Sequence, residues 1–315
     1  MFDAEKLVED QIRKIREQVS GKAIIACSGG VDSMVSAVIA SKAIGNDLLA
    51  VFVNTGLMRK NETEEVRGMM KELKIKYKVL QAADIFFGNL KGVTDPEKKR
   101  KIIGRTFIRC FEKEARSFGA KYLVQGTIAP DVIESGKDGH KNVKAHHNVG
   151  GIPKKMGLEL VEPLRELYKD EVRQVARLLG IKASERQPFP GPGLGVRCLG
   201  EVTPENIKIV REACFIVEDE IQKASAAKKM DLPWQYFASL LPVRSVGVHD
   251  GKRVYGRTVV IRAVHSKDAM TAKCAQIPFE VLDTISKRIT KTLGKKVNRV
   301  VYDVTGKPPG TIEWE

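Results

Sequence analysis

Ser28 to Ser33, SGGVDS, follow directly on the apolar run AIIAC at Ala23–Cys27, and no other stretch of the chain limits its possible folds so tightly. A continuous apolar run of that length is the mark of a strand buried on both faces of a parallel sheet. Met34, Val35, Val38 and Ile39 then follow at helical spacing, so SGGVDS occupies a strand-to-helix turn. There Gly29 and Gly30 let the backbone turn tightly, the helix N-terminus aims amides at an anion, and Ser28 and Ser33 add hydroxyl donors. Asp32 can hold a magnesium ion against phosphates. The lysine of GxxxxGK[ST] is missing, which speaks against a loop for γ-phosphoryl transfer. A tight turn with Ser or Asp as a plain helix cap is the competing reading.

LLAVFV at Leu48–Val53 repeats the buried-strand pattern, and YKVL at Tyr77–Leu80 and YLVQ at Tyr122–Gln125 repeat it more weakly. Helical stretches lie between, such as Ile103, Phe107, Phe111, Ala115 and Phe118, and a helix from about Tyr168 to Leu179 ends at Gly180. Alternation of this kind predicts an α/β domain with a doubly wound parallel sheet. The polar segment 127–158, rich in Gly, Lys, His and Asn, is too long for a routine connection and is expected to be a lid. PFPGPGLG at Pro188–Gly195 breaks both helix and strand, which places a domain junction there, 1–187 before and 188–315 after. Beyond it lie a helix with Ile207, Val210, Cys214, Val217 and Ile221, strand-like VRSVGV and VYGRTVVIRAV, a helix with Leu282, Ile285 and Ile289, and VNRVVYDV. These elements do not alternate regularly, so a second, smaller α+β domain is expected.

The net charge of +15 admits nucleic acid, a membrane surface or small anions as partners. Its densest run, KKRK at Lys98–Lys101, opens a helical pattern and is expected to lie mostly on a solvated face. The five cysteines include no CxxC pair, which argues against a disulfide framework and against a zinc or iron–sulfur site. The first residues, MFDAEKLVEDQIRKIREQV, read as an amphipathic helix and not as a signal peptide, and no apolar run is long enough to span a bilayer. A cytoplasmic, soluble protein is the expectation.

SGGVDS resembles the signature of the ATP pyrophosphatases, which split ATP into an adenylyl group and pyrophosphate. TDPEKKRKIIG at Thr94–Gly104, QGTIAPDVIES at Gln125–Ser135, HHNVGGIP at His146–Pro153, PFPGPGLG, LPVRSVGV and the terminal YDVTGKPPGTIEWE narrow the resemblance to GMP synthase. The resemblance implies a carbon–nitrogen ligase that uses ATP and Mg2+. XMP attacks the α-phosphorus of ATP through its C2 oxygen, and ammonia then displaces AMP to leave GMP. It implies that Ser28, Gly29, Gly30, Val31, Asp32, Ser33, Met34, Val53 and Gly126 bind ATP, and that Asp32 and Asp131 hold the metal. Asp32, Asp131, Glu134, Lys144, His146 and His147 are implied as catalytic, and Arg100, Gln235, Lys307, Thr311 and Glu313 as XMP-binding.

Asp131 and Glu134 stand three apart, which puts both carboxylates on one side of a helical turn; a capped surface turn is the other reading. Adjacent histidines such as His146 and His147 are, by themselves, more often solvated than catalytic. Many relatives read Lys-Ser-His-His where this chain has Lys144-Ala145-His146-His147, so a serine hydroxyl has no part here. SGGVDS begins at residue 28, which leaves no room before it for the glutaminase domain that glutamine-using relatives carry, so the chain is expected to be similar to the separate ATP-pyrophosphatase subunit of two-subunit GMP synthases. A glutamine amidotransferase partner supplying ammonia and a homodimer through the second domain are implied, with neither nucleic acid nor membrane as partner. The rivals are a tRNA-modifying ATP pyrophosphatase, which suits the charge but not the cysteines, a non-catalytic nucleotide-binding module, and NAD synthetase.

Overall fold

The computed structural model describes residues 2–136, 157–181, 187–267 and 269–315. The chain divides into two compact units: Met1–Thr55, Asn61–Ala82 and Gly104–Arg186 form the first; Gly56–Lys60, Ala83–Ile103 and Gln187–Glu315 form the second. The division is therefore not one cut in the chain, because residues 56–60 and 83–103 join the second unit.

The first unit is built on five parallel strands, β1 (Ala23–Ala26), β2 (Leu48–Asn54), β3 (Tyr77–Gln81), β4 (Tyr122–Val124) and β5 (Glu159–Val161), in the order β3-β2-β1-β4-β5. The chain enters at the centre, winds outward to β3, then crosses to β4 and winds the other way. That reversal makes the gap beside β1 and β4 the topological switch point, where open α/β sheets bind ligands. β1 and β2 are apolar and buried because helices cover both faces of the sheet. Helix α2 (Val31–Ile44) buries residues all round, including Met34, Val35, Val38 and Ile39, as a helix inside a core must. Helix α1 (Ala4–Gln18) is amphipathic by contrast, and the Asp3 side chain caps it by accepting from Lys6 N at 3.0 Å. Helix α3 (Glu62–Glu72) precedes β3. Helices α4 (Ala83–Leu90) and α5 (Pro96–Phe118) follow it, and α5 passes from the second unit into the first after Ile103. Helix α6 (Ala129–Gly136) follows β4. Helix α7 (Lys169–Leu178) ends in a left-handed Gly180, with Ile181 N donating to Ala176 O at 2.8 Å. β5 escapes the periodicity argument: three residues with only Val161 buried leave no pattern to read.

The second unit holds a mixed sheet. β6 (Gln235–His249) and β7 (Lys252–His265) form a long antiparallel hairpin, β8 (Lys273–Cys274) pairs antiparallel with the end of β7, and β9 (Val297–Asp303) runs parallel to β7. The hairpin closes on Asp250 and Gly251, both at positive φ, the Asp-Gly chemistry that suits the twist of the strands. Helices α8 (Pro204–Ala226) and α9 (Phe279–Leu293) belong to this unit; Thr203 caps α8 and Pro204 fills its first turn. The Pro/Gly-rich segment is no solvated linker. Gly193–Val196 is a buried turn, with Leu194 N donating to Leu57 O at 2.7 Å. Gly193, at φ +64, has no space for a side chain: a Cβ would lie 2.4 Å from Leu57 O.

The KKRK run lies mostly on the solvated face, as expected, with one exception. Lys99 is fully buried, whereas its neighbours Lys98 and Lys101 are exposed. Its Nζ lies 2.5 Å from the Glu315 carboxylate and 2.8 Å from Cys198 O, and that ion pair is what allows an ammonium to leave water. Among the described residues no helix is long and apolar enough to cross a membrane.

Candidate active site

At the carboxyl end of β1, Gly29 adopts φ +79 and turns the chain into α2. The loop is tied by its own hydroxyls. Ser28 N and Gly30 N donate to Ser33 Oγ and Ser28 Oγ, each at 3.3 Å, and Ser33 Oγ donates to Gly30 O at 3.0 Å. Met34 N donates to Gly30 O at 3.1 Å and closes the first helical bond. The amides of Val31, Asp32 and Ser33 therefore precede any intrahelical acceptor and face whatever sits at the helix end. The side chains of Val31, Met34 and Val53 are buried in the core, so backbone groups are what they offer a ligand. Cys27, just before the turn, is buried, and burial pushes its thiol up to about 12, which keeps it un-ionised beside the site.

Gly126, just after β4, comes close against this turn: a Cβ there would meet Asp32 C and O at 2.9 Å. The switch point thus brings two predicted ATP-binding segments together, residues 28–34 and Gly126. Asp32 projects from the first turn of α2, where Lys169 Nζ donates to both of its carboxylate oxygens, at 2.9 and 2.7 Å. Sequence reasoning misses Lys169. It sits 137 residues from Asp32, and only its place at the start of an amphipathic helix hints at a role.

Asp131 lies in the first turn of α6, where Oδ2 accepts from Ile128 N at 3.1 Å. That bond is the backward half of a capping box, so the capped-turn reading holds for at least one oxygen. Glu134 belongs to the same helix, but its side chain is outside the described residues, as are Lys144, His146 and His147. Among the described residues, no three His, Cys, Asp or Glu side chains gather as a metal cage. A part-exposed carboxylate such as Asp32, beside the free amides of a helix N-terminus, suits Mg2+, which is usually held by one or two carboxylates together with substrate phosphates.

In the second unit the tail after β9 is docked by buried cations. Arg262, wholly buried, donates to Thr305 O, to Thr311 O at 2.9 Å and to Ile312 O at 3.4 Å. Lys99 pins the Glu315 side chain and Arg100 donates to Glu315 O. Arg197 grips Glu313 through Nε to Oε2 at 3.1 Å and Nη2 to Oε1 at 2.8 Å, while Gln235 Nε2 donates to Glu313 Oε1 at 2.9 Å. Arg100, Gln235 and Glu313 are thus gathered along one tail. Lys307 is held at another point, its Nζ donating to Ala269 O at 2.8 Å, and the Thr311 hydroxyl donates to Glu313 O. Burial alone would lower the Arg197 guanidinium, but the Glu313 carboxylate more than offsets it and holds Arg197 above the usual arginine range. No motif in the sequence marks Arg197, Lys99 or Arg262 as partners of the tail.

Comparison with known proteins adds lineage to this geometry. Residues 219–314 match the family model described as GMP synthase C terminal domain, and residues 4–109 the one described as NAD synthase. The B-type subunit of GMP synthase (glutamine-hydrolyzing) from Thermoplasma volcanium is 53% identical over 96% of this chain and 96% of its own. Its counterpart from Pyrococcus furiosus is 56% identical over 99% of this chain and 97% of its own. A GMP synthase (glutamine-hydrolyzing) of Clostridium tetani is 56% identical over 98% of this chain, which spans 60% of that protein.

Proposed function

Because this chain belongs to the family of the B-type subunits of GMP synthase (glutamine-hydrolyzing), we propose that its first unit activates XMP with ATP and that its second unit holds XMP for amination. The reading is carried by the phosphate turn 28–33, with its first-turn helix amides and Asp32, in a chain of that lineage.

The turn's amides and the Ser28 and Ser33 hydroxyls receive the leaving pyrophosphate, where charge develops as the α-phosphorus is attacked. The XMP C2 oxygen forms the new bond to phosphorus and pyrophosphate leaves. Ammonia then adds at C2, and AMP departs with the former C2 oxygen. Asp32, with Asp131 as a second candidate, would hold Mg2+, which supplies positive charge against the phosphates. Lys169 pairs with Asp32 and would be placed to meet a phosphate if that carboxylate held the metal. Lys144, His146 and His147 serve as lid cations and proton carriers, and Glu134 orients the lid. Lys307 has two ammonium hydrogens beyond the one given to Ala269 O, enough for a nucleotide phosphate. Glu313, an acceptor only, meets an N–H edge of the base, with Gln235, Thr311 and Arg100 around it.

A separate glutamine amidotransferase supplies the ammonia, and two copies pair through the second unit. Exposed Val243, Val246, Val248 and Tyr255 on the β6–β7 hairpin support that pairing. NAD synthetase is disfavoured by the KPPGTIEWE tail, and tRNA modification by cysteines without catalytic spacing.

The test is AMP formation from ATP, XMP and Mg2+. Ammonium alone is expected to support it, and glutamine only when a glutaminase partner is added. Absence of XMP-dependent AMP with ammonium, or tight salt-sensitive tRNA binding without XMP-dependent pyrophosphate release, overturns the reading.

A further inference from the structure

We propose that Arg197 is a positioning residue for purine recognition: acting through Glu313, it fixes that carboxylate beside Gln235 in the orientation that accepts an N–H of the XMP base. This rests on the assignment of the tail to XMP made above.

Three buried cations meet the tail, and they do different things. Arg262 bonds backbone carbonyls at Thr305, Thr311 and Ile312, and Lys99 bonds the side chain of the last residue, Glu315. Both of those contacts hold the peptide in place without touching the Glu313 side chain. Arg197 grips the Glu313 side chain instead, using the side-on fork of Nε and Nη2, which fixes the plane of the carboxylate as well as its place. The guanidinium is itself immobilised. It is 1% exposed, ends the buried turn Gly193–Val196, and stacks 4.0 Å from the Phe237 ring centroid and 5.2 Å from that of Phe189.

Gln235 completes the frame. Its Nε2 donates to Glu313 Oε1 at 2.9 Å and to Pro188 O at 3.4 Å. The Glu313 side chain remains 17% exposed, and while Oε1 accepts from both Arg197 and Gln235, Oε2 accepts only from Arg197 Nε and keeps room for one more donor. Arg197 Nη1 is buried without a hydrogen-bond partner among the described residues. A buried, unsatisfied donor costs stability, so keeping a full guanidinium here makes sense for the fork it provides rather than for folding.

The experiment measures steady-state AMP formation at saturating ammonium for Arg197→Met, Arg197→Lys, Glu313→Gln and the Arg197→Met/Glu313→Gln double variant, with melting curves for each. Arg197→Met and Glu313→Gln are each expected to raise KM for XMP about tenfold or more, leave KM for ATP within about twofold, and combine to no more than the larger single effect. Arg197→Lys is expected to fall between wild type and Arg197→Met, because one ammonium cannot reproduce the fork. If Arg197→Met fails to fold, Arg197→Lys with Glu313→Gln completes the same cycle. Effects that multiply, equal loss for ATP and XMP, or an Arg197 variant with unchanged KM for XMP beside a damaged Glu313→Gln, overturn the role of Arg197 and leave the tail assignment standing. An unaffected Glu313→Gln overturns the tail assignment itself.

Discussion

At Gly126 the absence of one carbon atom lets the chain lie close against the turn that carries Asp32. Its missing Cβ would fall 2.9 Å from the Asp32 carbonyl, a backbone group that cannot swing aside as a flexible side chain could. Gly126→Ala is therefore expected to cost about 1–3 kcal/mol of stability and to lower kcat/KM for ATP at least about tenfold. Thermal melting and pyrophosphate release measure the two, and a normal kcat/KM for ATP would refute the close approach. Asp32, Gly126 and Glu313 lie inside motifs displayed by the sequence. Lys169 lies in none, and Arg197, just after PFPGPGLG, and Lys99, inside TDPEKKRKIIG, are given no partner by those motifs. Their partners are 137, 116 and 216 residues away, and a lone basic residue looks the same in sequence whether it solvates or meets a buried carboxylate.

Among the elements, β1 and β2 are readable because strands covered on both faces must be apolar at every position. β5 is hidden by its length, and the early part of β6 by a Gln and aromatics that belong to no clean alternation. Helix α5 shows the limit of charge patterning: in its KKRK run, one lysine of the set faces inward. Lys99→Met is expected to destabilise the protein by about 3–5 kcal/mol, since it strands the Glu315 carboxylate in the interior. The pH dependence follows from its sign. Burial already raises Glu315 above the ordinary carboxylate range against the pull of Lys99, and removing Lys99 raises it further. A group with a raised folded-state pKa stabilises below its unfolded value and loses that contribution as pH rises. Lys99→Met must then lose more stability at pH 8 than at pH 5, and melting curves with the same loss at both would disprove the pairing.

On the scale of the whole molecule, two units carry separate halves of the proposed chemistry, and this division is testable. Asp32→Ala is expected to abolish XMP-dependent pyrophosphate release, while Lys307→Ala mainly raises KM for XMP, about tenfold or more, with KM for ATP little changed. Equal damage to both substrates in both variants would contradict it. The net charge of +15 suits the polyanionic substrates proposed, and the buried pairs Lys99–Glu315 and Arg197–Glu313, each neutral as a pair, leave that excess untouched. Local periodicity and contiguous motifs are enough to specify the alternating α/β core, the strand-to-helix turn at 28–33 and the family. They do not specify which cations are buried, that segments 56–60 and 83–103 join the C-terminal unit, or that Arg197 holds Glu313; those follow from tertiary contacts alone. Burial and long-range pairing depend on where distant segments meet, and no local pattern encodes that.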